Sequence, residues 1–293
     1  MKNGIDQNRT RVGVIGIGAV GEALVYTLSW FHEVIPYDKK GSYAFEPILS
    51  ADLILVCVDT PQGPDGRLDC KNVRDVLARL QAGGFGGVVV VRSTVHVGFM
   101  DQATRAYPKL HLVYFPEFIR ERSRLPWTVC PDRLVVAGDQ PDIRALLRVF
   151  DWVEDVPVLQ MSFVEAELGK LAHNAFIATK VSFTNEIERI SEKYGADPDN
   201  VMRVVIADRR VKSSAHLVPR KGTFNGRCVP KDTHELLLAG DGSALLEAVE
   251  EVKEEFDQRE RQKSARSIIE QPQRSSGKLP ASNGGKRASS APT

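Results

Sequence analysis

The sequence predicts an α/β fold, an N-terminal Rossmann-type doubly wound parallel sheet followed by a helical central domain. Three observations carry that prediction. Short apolar runs at residues 12–15, 33–37, 52–58, 86–91 and 111–115 alternate with segments of helical character. That alternation is how a parallel sheet covered by helices on both faces reads. The first run leads into Gly16-Ile17-Gly18-Ala19-Val20-Gly21, a G-x-G-x-x-G between a strand and a helix. The second half instead holds a helical stretch of about 30 residues, long for a globular helix.

Composition fits this class. A chain of 293 residues has room for two domains, and 42% hydrophobic with 26% charged residues is ordinary for a globular protein. A net charge of +1 gives no global field toward nucleic acid or a membrane surface. Cys57, Cys70, Cys130 and Cys228 form no C-x-x-C pair, as expected of reduced thiols in a cytoplasmic protein. No metal site is expected. Residues 1–11 contain no apolar core of a leader, and no apolar run reaches about 18 residues.

The elements follow in order. Residues 12–15 read as a buried strand. Gly16 permits the tight turn, Gly18 lets the backbone approach a pyrophosphate, and Gly21 lets the helix over 19–31 pack on the strand. The strand over 33–37 ends at Asp38, where a carboxylate accepts from ribose hydroxyls and favours NAD over NADP. Lys39 and Lys40 soften that preference. The stretch before the strand over 52–58 is too short for a full helical crossover, so one excursion is trimmed. That strand ends in Asp59-Thr60-Pro61, with a turn over 63–66 and a helix over 72–81. The run over 86–91 ends in Arg92-Ser93-Thr94, whose hydroxyls fall at the carboxyl end of a strand, where such sheets bind ligands. A helix over 98–107 and a strand over 111–115 lead to Pro116-Glu117-Phe118-Ile119-Arg120-Glu121. Strands over 134–137 and 156–159 flank a helix over 142–150.

Ser162 and Glu165 form a capping box for a helix running to about residue 194, which Gly195 closes. Lys170 and Asn174 share a face, and Asn185 returns to it three turns on. This polar stripe is either the wet face of the helix or a buried row that needs partners. After a helix over 197–207 comes Gly222-Thr223-Phe224-Asn225-Gly226-Arg227-Cys228-Val229-Pro230-Lys231-Asp232. A lone loop cysteine is most often inert, but a cation nearby lowers a thiol's pKa and makes a nucleophile. Arg227 and Lys231 are candidates for that cation. Helices are expected over 233–239 and 243–262. Residues 271–293 are Ser, Pro, Gly and basic residues, the composition of a disordered, solvated tail. The resulting division is an NAD-binding domain over 1–160, a helical domain with the cysteine loop over 161–256, and a tail over 257–293.

Taken together, six blocks resemble the UDP-glucose/GDP-mannose dehydrogenase family. They are VGVIGIGAVG, CVDTP with DGRLD, RSTVHVGF, YFPEFIRE, EAELGKLAHNAFIATKVSFTNE and CVPKDT, in the family's order. The resemblance implies NAD-dependent oxidation of a nucleotide-sugar C6 alcohol to a carboxylate, through a thiohemiacetal and then a thioester on Cys228. It makes Lys170 and Asn174 stabilisers of the oxyanion, Asp232 the acid beside water and thiol, and Thr94 with Glu121 the holders of that water. It lines the cofactor with Gly16, Ile17, Gly18, Val20, Gly21, Asp38, Thr60, Pro61, Thr94, Glu121 and Lys231. It assigns Glu117, Phe118, Ile119, Arg120, Glu121, Lys170, Asn174, Phe224 and Gly226 to the substrate, with Arg210 reaching it from a neighbouring subunit. It also implies a homodimer through the helix over 162–194.

The sequence departs from the family in three places. Thr223, Asn225 and Arg227 stand in a loop that is usually richer in glycine. His96 replaces a proline. The family's third, nucleotide-binding domain has no counterpart here, which implies a compact form or a separate chain that supplies it. Two other readings compete with the four-electron enzyme. One is a non-catalytic or partner-dependent NAD-binding subunit. The other is a two-electron hydroxyacid-type dehydrogenase, which needs no cysteine.

Overall fold

A computed structural model describes residues 9–41, 43–118 and 124–269, with side chains described to residue 265. The candidate residues Ile119, Arg120 and Glu121, and the expected tail beyond residue 269, lie outside that range.

Seven strands form one sheet in the order β2-β1-β3-β4-β5-β6-β7. They are β1 (Arg11–Ile15), β2 (Glu33–Tyr37), β3 (Leu53–Val56), β4 (Val88–Val91), β5 (His111–Tyr114), β6 (Leu134–Gly138) and β7 (Val158–Gln160). The first five run parallel. The expectation of an all-parallel sheet is corrected at its far edge, where β6 pairs antiparallel with β5 and β7 follows β6. The link from β5 to β6 carries one short helix, α4 (Arg124–Val129), which the sequence reading did not anticipate. An antiparallel edge on a parallel sheet is common in such folds.

Strand alternation splits the core into two layers. Val12, Val14, Leu53, Leu55, Val88 and Val90 face α1 (Ala19–Leu28) and α5 (Gln140–Val149). Ile15, Ile54, Val56, Val89 and Val91 face α2 (Lys71–Ala82) and α3 (Phe99–Ala106). With side chains pointing alternately, a strand buried on both faces must be apolar throughout, which is why these runs read as Val, Ile and Leu. Among the described residues between β2 and β3, a 3-10 turn, Glu46–Ser50, makes the crossing in place of a full helix, so the trimmed excursion is borne out. Gly13 leaves room for it, since a Cβ there would lie 2.7 Å from Ile48.

The second half is organised by α6 (Phe163–Lys193), 31 residues long. Its capping box forms in full, with the Ser162 side chain on the Glu165 N–H and the Glu165 carboxylate on the Ser162 N–H. Gly195, at φ +64°, ends it. The Ala196 N–H donates to the Ser191 carbonyl and the Gly195 N–H to the Glu192 carbonyl, the paired bonds of a Schellman motif. Around α6 pack α7 (Pro198–Ile206), α8 (Val229–Ala239) and α9 (Ala244–Ile269).

Two boundaries differ from expectation. Helix α8 starts at Val229 rather than 233, with Cys228 as its N-cap. Pro230 resembles a loop residue in sequence but sits in the first turn, where its missing N–H has no intrahelical use. Helix α9 continues to Ile269, past residue 257 where the tail was expected to begin.

Candidate functional site

The glycine loop joins β1 to α1 at the carboxyl edge of the sheet. Gly16 has φ +94°, and a Cβ on it would lie 2.6 Å from the Cys57 carbonyl oxygen. A Cβ on Gly21 would fall 1.9 Å from the Gly16 carbonyl oxygen, so only glycine lets α1 sit this close to the strand. Gly18 differs, with nothing within 4 Å of where its Cβ would be. No side chain caps the first turn of α1, which leaves its N–H groups and the positive end of its dipole facing that open space. Asp38 closes the loop from the end of β2. Its carboxylate accepts from the Ile17 N–H and the Lys40 N–H, both at 2.8 Å. The Lys40 bond and then the Ile17 bond hold Asp38 below its ordinary range despite some burial, so it is ionised at neutral pH. Lys39 is drawn away to Asn72, 2.8 Å from its Oδ1. Ile17 and Val20 pack against the core beneath the loop.

The ends of β3 and β4 meet beside it. Thr60 is buried and its hydroxyl donates to the Thr94 carbonyl at 2.7 Å. Pro61 is exposed. The two threonines predicted for one site are therefore neighbours.

The polar stripe of α6 is buried rather than wet: Lys170, Asn174 and Asn185 expose 2%, 5% and 3% of their surfaces. Lys170 Nζ donates to the Glu117 carbonyl at 2.6 Å and lies 3.5 Å from Glu117 Oε1. The Phe118 ring is 5.1 Å from the same ammonium. One turn along, Asn174 Nδ2 donates to Asp232 Oδ2 at 2.6 Å. Lys231 Nζ donates to the other oxygen, Oδ1, at 2.7 Å. Asp232 is fully buried, and these two charge-assisted bonds are what keep a carboxylate there tolerable. The Asp232 N–H donates to the Cys228 carbonyl, which sets the two residues one turn apart on α8. Five predicted residues thus converge: Lys170, Asn174, Lys231, Asp232 and Cys228. Asn185 also lies buried on α6, its amide nitrogen without a hydrogen-bond partner.

The thiol departs from expectation. Cys228 is exposed as a residue, yet atoms crowded around its sulfur exclude water and raise its pKa above 9.0. The Asp232 carboxylate raises it further, and together these outweigh Lys231 and Lys170. The expected activating cation, Lys231, is held by Asp232.

Other predicted residues are placed differently. Phe224 is buried against Ala178 and Val249, where its ring anchors the loop to α6 and α9. The left-handed positions of that loop are Gly222 and Gly226, at φ +77° and +92°, so Asn225 is not needed as a glycine substitute. Gly226 is exposed beside Cys228. The Arg210 side chain is 90% exposed and paired with Asp208, and it is not brought to Cys228 within this chain.

Three buried groups escaped the sequence reading. Glu167, one turn before Lys170, caps α3 with bonds from the Gly98 and Met100 N–H groups at 2.6 and 2.8 Å. Burial pushes it up to about 7 against those two bonds. Glu235, one turn after Asp232, accepts from the Leu68 N–H at 2.7 Å and so ties the loop after Thr60 to α8. The third is Arg92, at the end of β4. The turn spacing from Lys170 and Asp232 was visible for both glutamates, but nothing in the sequence gave them partners.

Comparison with known proteins locates this arrangement. Residues 39–152 match the NAD binding domain of the UDP-glucose/GDP-mannose dehydrogenase family, and residues 164–255 match its central domain. A UDP-glucose 6-dehydrogenase of Streptococcus pneumoniae is 32% identical over 268 residues, 77% of this chain and 68% of that protein. The chain belongs to the UDP-glucose/GDP-mannose dehydrogenase family. A UDP-glucose 6-dehydrogenase of Bacillus subtilis is 35% identical over 66% of this chain, which spans 46% of that relative. The chain spans about half the length of several of these curated relatives. A UDP-glucose dehydrogenase structure from Pyrobaculum islandicum superposes with a TM-score of 0.77 at 28% identity, over 87% of this chain and 70% of that one.

The family's cofactor is NAD, and the residues fit it. Gly18 with the open head of α1 suits a pyrophosphate, and an ionised Asp38 suits a ribose diol. No helix among the described residues is long and apolar enough to cross a membrane.

Proposed function

We propose that this chain oxidises the C6 alcohol of a nucleotide-linked sugar to the carboxylate, with Cys228 as nucleophile. The observation that carries the reading is the buried run Glu117–Lys170 and Asn174–Asp232–Lys231 meeting the thiol at the head of α8. Two NAD molecules, bound one after the other at the glycine loop, would supply the acceptors for the two hydrides that the substrate carbon loses.

The protein's own groups do the rest. As the first hydride leaves, the alcohol becomes an aldehyde and its proton passes to water. The Cys228 sulfur bonds to the aldehyde carbon and its proton passes to the aldehyde oxygen, giving a thiohemiacetal whose hydroxyl proton goes to water when the second hydride leaves. Lys170 and Asn174 donate toward the oxygen as it gains charge, from fixed positions that need no reorganisation. Loss of the second hydride leaves a thioester. Water then adds to the carbonyl, the C–S bond breaks, and the thiol regains a proton as the carboxylate departs. Asp232, within reach of Asn174, Lys231 and the thiol, is the group suited to hold that water and move its proton. Thr94 and Glu121 are proposed to hold that water, and Glu117 with Phe118 to contact the sugar.

A further reading concerns assembly. Phe176, Phe183 and Ile190 are exposed on α6 at seven-residue spacing, so they form one stripe. Val201 and Val204 of α7 are exposed as well. We propose that this stripe pairs two copies, which would place Arg210 of each chain at the partner's disposal.

The deciding experiment measures NADH formed per sugar with NAD in excess, over limiting UDP-glucose, UDP-N-acetylmannosamine, UDP-N-acetylglucosamine and GDP-mannose. Two NADH per sugar, lost in Cys228→Ser, is the expected result. One NADH that persists in Cys228→Ser would favour the two-electron reading. NAD binding without NADH from any sugar would favour a non-catalytic or partner-dependent subunit.

A further inference from the structure

We propose that Arg92 is a positioning residue for the reaction assigned above, acting on Lys170 through Glu117 and through water held in a cavity that Arg92 and Glu117 both line. The inference rests on that functional reading.

Arg92 follows the last residue of β4 and is only 6% exposed. Burial works against its charge and pulls its pKa down. Its Nε and Nη1 atoms are both buried without a hydrogen-bond partner among the described residues. The central carbon of the guanidinium lies 4.3 Å from the Phe115 ring centroid and 6.0 Å from that of Phe150. Such contacts stabilise the cation through the ring faces, but they give no acceptor to its N–H groups. Buried donors are rarely left so, and bound water is the usual partner.

The space for that water is present. A cavity of about 30 Å³ is lined by Arg92, Phe115, Glu117 and Phe118, together with the ion pair of Asp132 and Arg133, enough for one or two waters. Glu117 lies within electrostatic reach of Arg92. It is also the residue that holds Lys170, by its carbonyl at 2.6 Å and its Oε1 at 3.5 Å. The run Arg92–water–Glu117–Lys170 therefore connects a cation locked in the sheet to the ammonium proposed to meet the oxyanion.

This arrangement does two things. It adds a cation on the side of Glu117 away from its bond to Lys170, and so restrains the residue that holds the ammonium. It also changes the charge count. Glu117 paired with Lys170 alone is neutral, whereas Arg92, Glu117 and Lys170 together sum to one net positive charge, which the mutually paired Asp132 and Arg133 leave unchanged. The neighbouring Cys57 thiol, pushed up to about 12 by burial, is uncharged and does not alter that count. Arg133 lines the same cavity, 4.1 Å from the Phe118 ring centroid.

The test uses the full chain with Arg92→Met and Arg92→Lys. Arg92→Met is expected to lower kcat about tenfold to a hundredfold, as misplaced catalytic groups do, with KM for NAD unchanged. Arg92→Lys keeps the charge and is expected to recover most of kcat. A crystal structure of the unaltered chain should show water within hydrogen-bond distance of Arg92 Nε or Nη1 and of Glu117. In Arg92→Met, Lys170 should leave the Glu117 carbonyl. A dry cavity overturns the proposal, as does an Arg92→Met variant with kcat and Lys170 unmoved, or an Arg92→Lys variant no better than Arg92→Met. If the unaltered chain yields no NADH from any nucleotide sugar, the functional reading falls. The crystallographic comparison then decides the role of Arg92 by itself.

Discussion

At the scale of single residues, the site is governed by what burial does to charge. Desolvation and the Asp232 carboxylate raise the Cys228 thiol, and Lys231 with Lys170 only partly oppose them. Alkylation of Cys228 by iodoacetamide, followed by peptide mass spectrometry, should therefore keep accelerating as pH rises past 9.0. Asp232→Asn should move the midpoint down and Lys231→Met should move it up. Opposite movements would remove the electrostatic account of the thiol. Cys57 and Cys70, pushed by burial to about 12 and about 11, should stay unlabelled over the same range.

Glu167 offers a second test at this scale. Its carboxyl is raised from 4.5 to about 7, so the folded protein holds a proton between those values that the unfolded chain has released. Stability from this group is fully present below about pH 4.5 and is lost as pH rises through about 7. Glu167→Gln removes the titration. The stability difference between the unaltered chain and this variant, from thermal melts across that window, should shift steadily against the unaltered chain as pH rises. A difference that stays flat with pH would show that the carboxyl is not perturbed.

At the scale of elements, the glycine loop and α6 show how local sequence becomes a binding surface. Gly21 sits against a backbone oxygen that cannot give way cheaply, 1.9 Å from its virtual Cβ. Gly21→Ala should cost about 1–3 kcal/mol, as forced overpacking does, and weaken NAD binding by displacing α1 from β1. Calorimetric titration with NAD checks the second effect, and unchanged affinity would mean that the loop does not hold the pyrophosphate. The capping box on α6 fixes where its first turn begins, and therefore which residues face inward seven residues later at Lys170. Helix α8 was legible only in part. The run Gly226 to Pro230 reads as loop, but a proline in the first turn costs a helix nothing. The thiol is thus an N-cap instead of a loop residue, and its carbonyl is bonded to Asp232.

At the scale of the whole molecule, the site exists because the sheet and the helical half close on one another. Glu235 receives the Leu68 N–H, Glu167 receives the Gly98 and Met100 N–H groups, and Lys170 reaches the Glu117 carbonyl. Four hydrogen bonds thus join α6 and α8 to the segments that follow β3, β4 and β5. On the opposite side, the stripe of Phe176, Phe183 and Ile190 on α6 faces outward. Phe183→Glu should convert a dimer to monomer in sedimentation velocity without loss of NAD binding. A monomeric unaltered chain would remove the pairing proposal.

The resemblance of six blocks to a known family is what grouped Lys170, Asn174, Cys228 and Asp232 as one site. The sequence by itself determined the α/β class, the order of most elements, and the glycine loop with Asp38. These are carried by short-range patterns: apolar runs, caps, turn residues and one-turn spacings, all set by local backbone geometry. Only the tertiary structure decided the antiparallel edge at β6, the inward turn of Phe224, the upward shift of the thiol, and the burial of Arg92 behind Glu117. Each of these depends on which groups from distant parts of the chain exclude water from one another. Desolvation and long-range pairing are properties of the closed fold, and no local spacing encodes them.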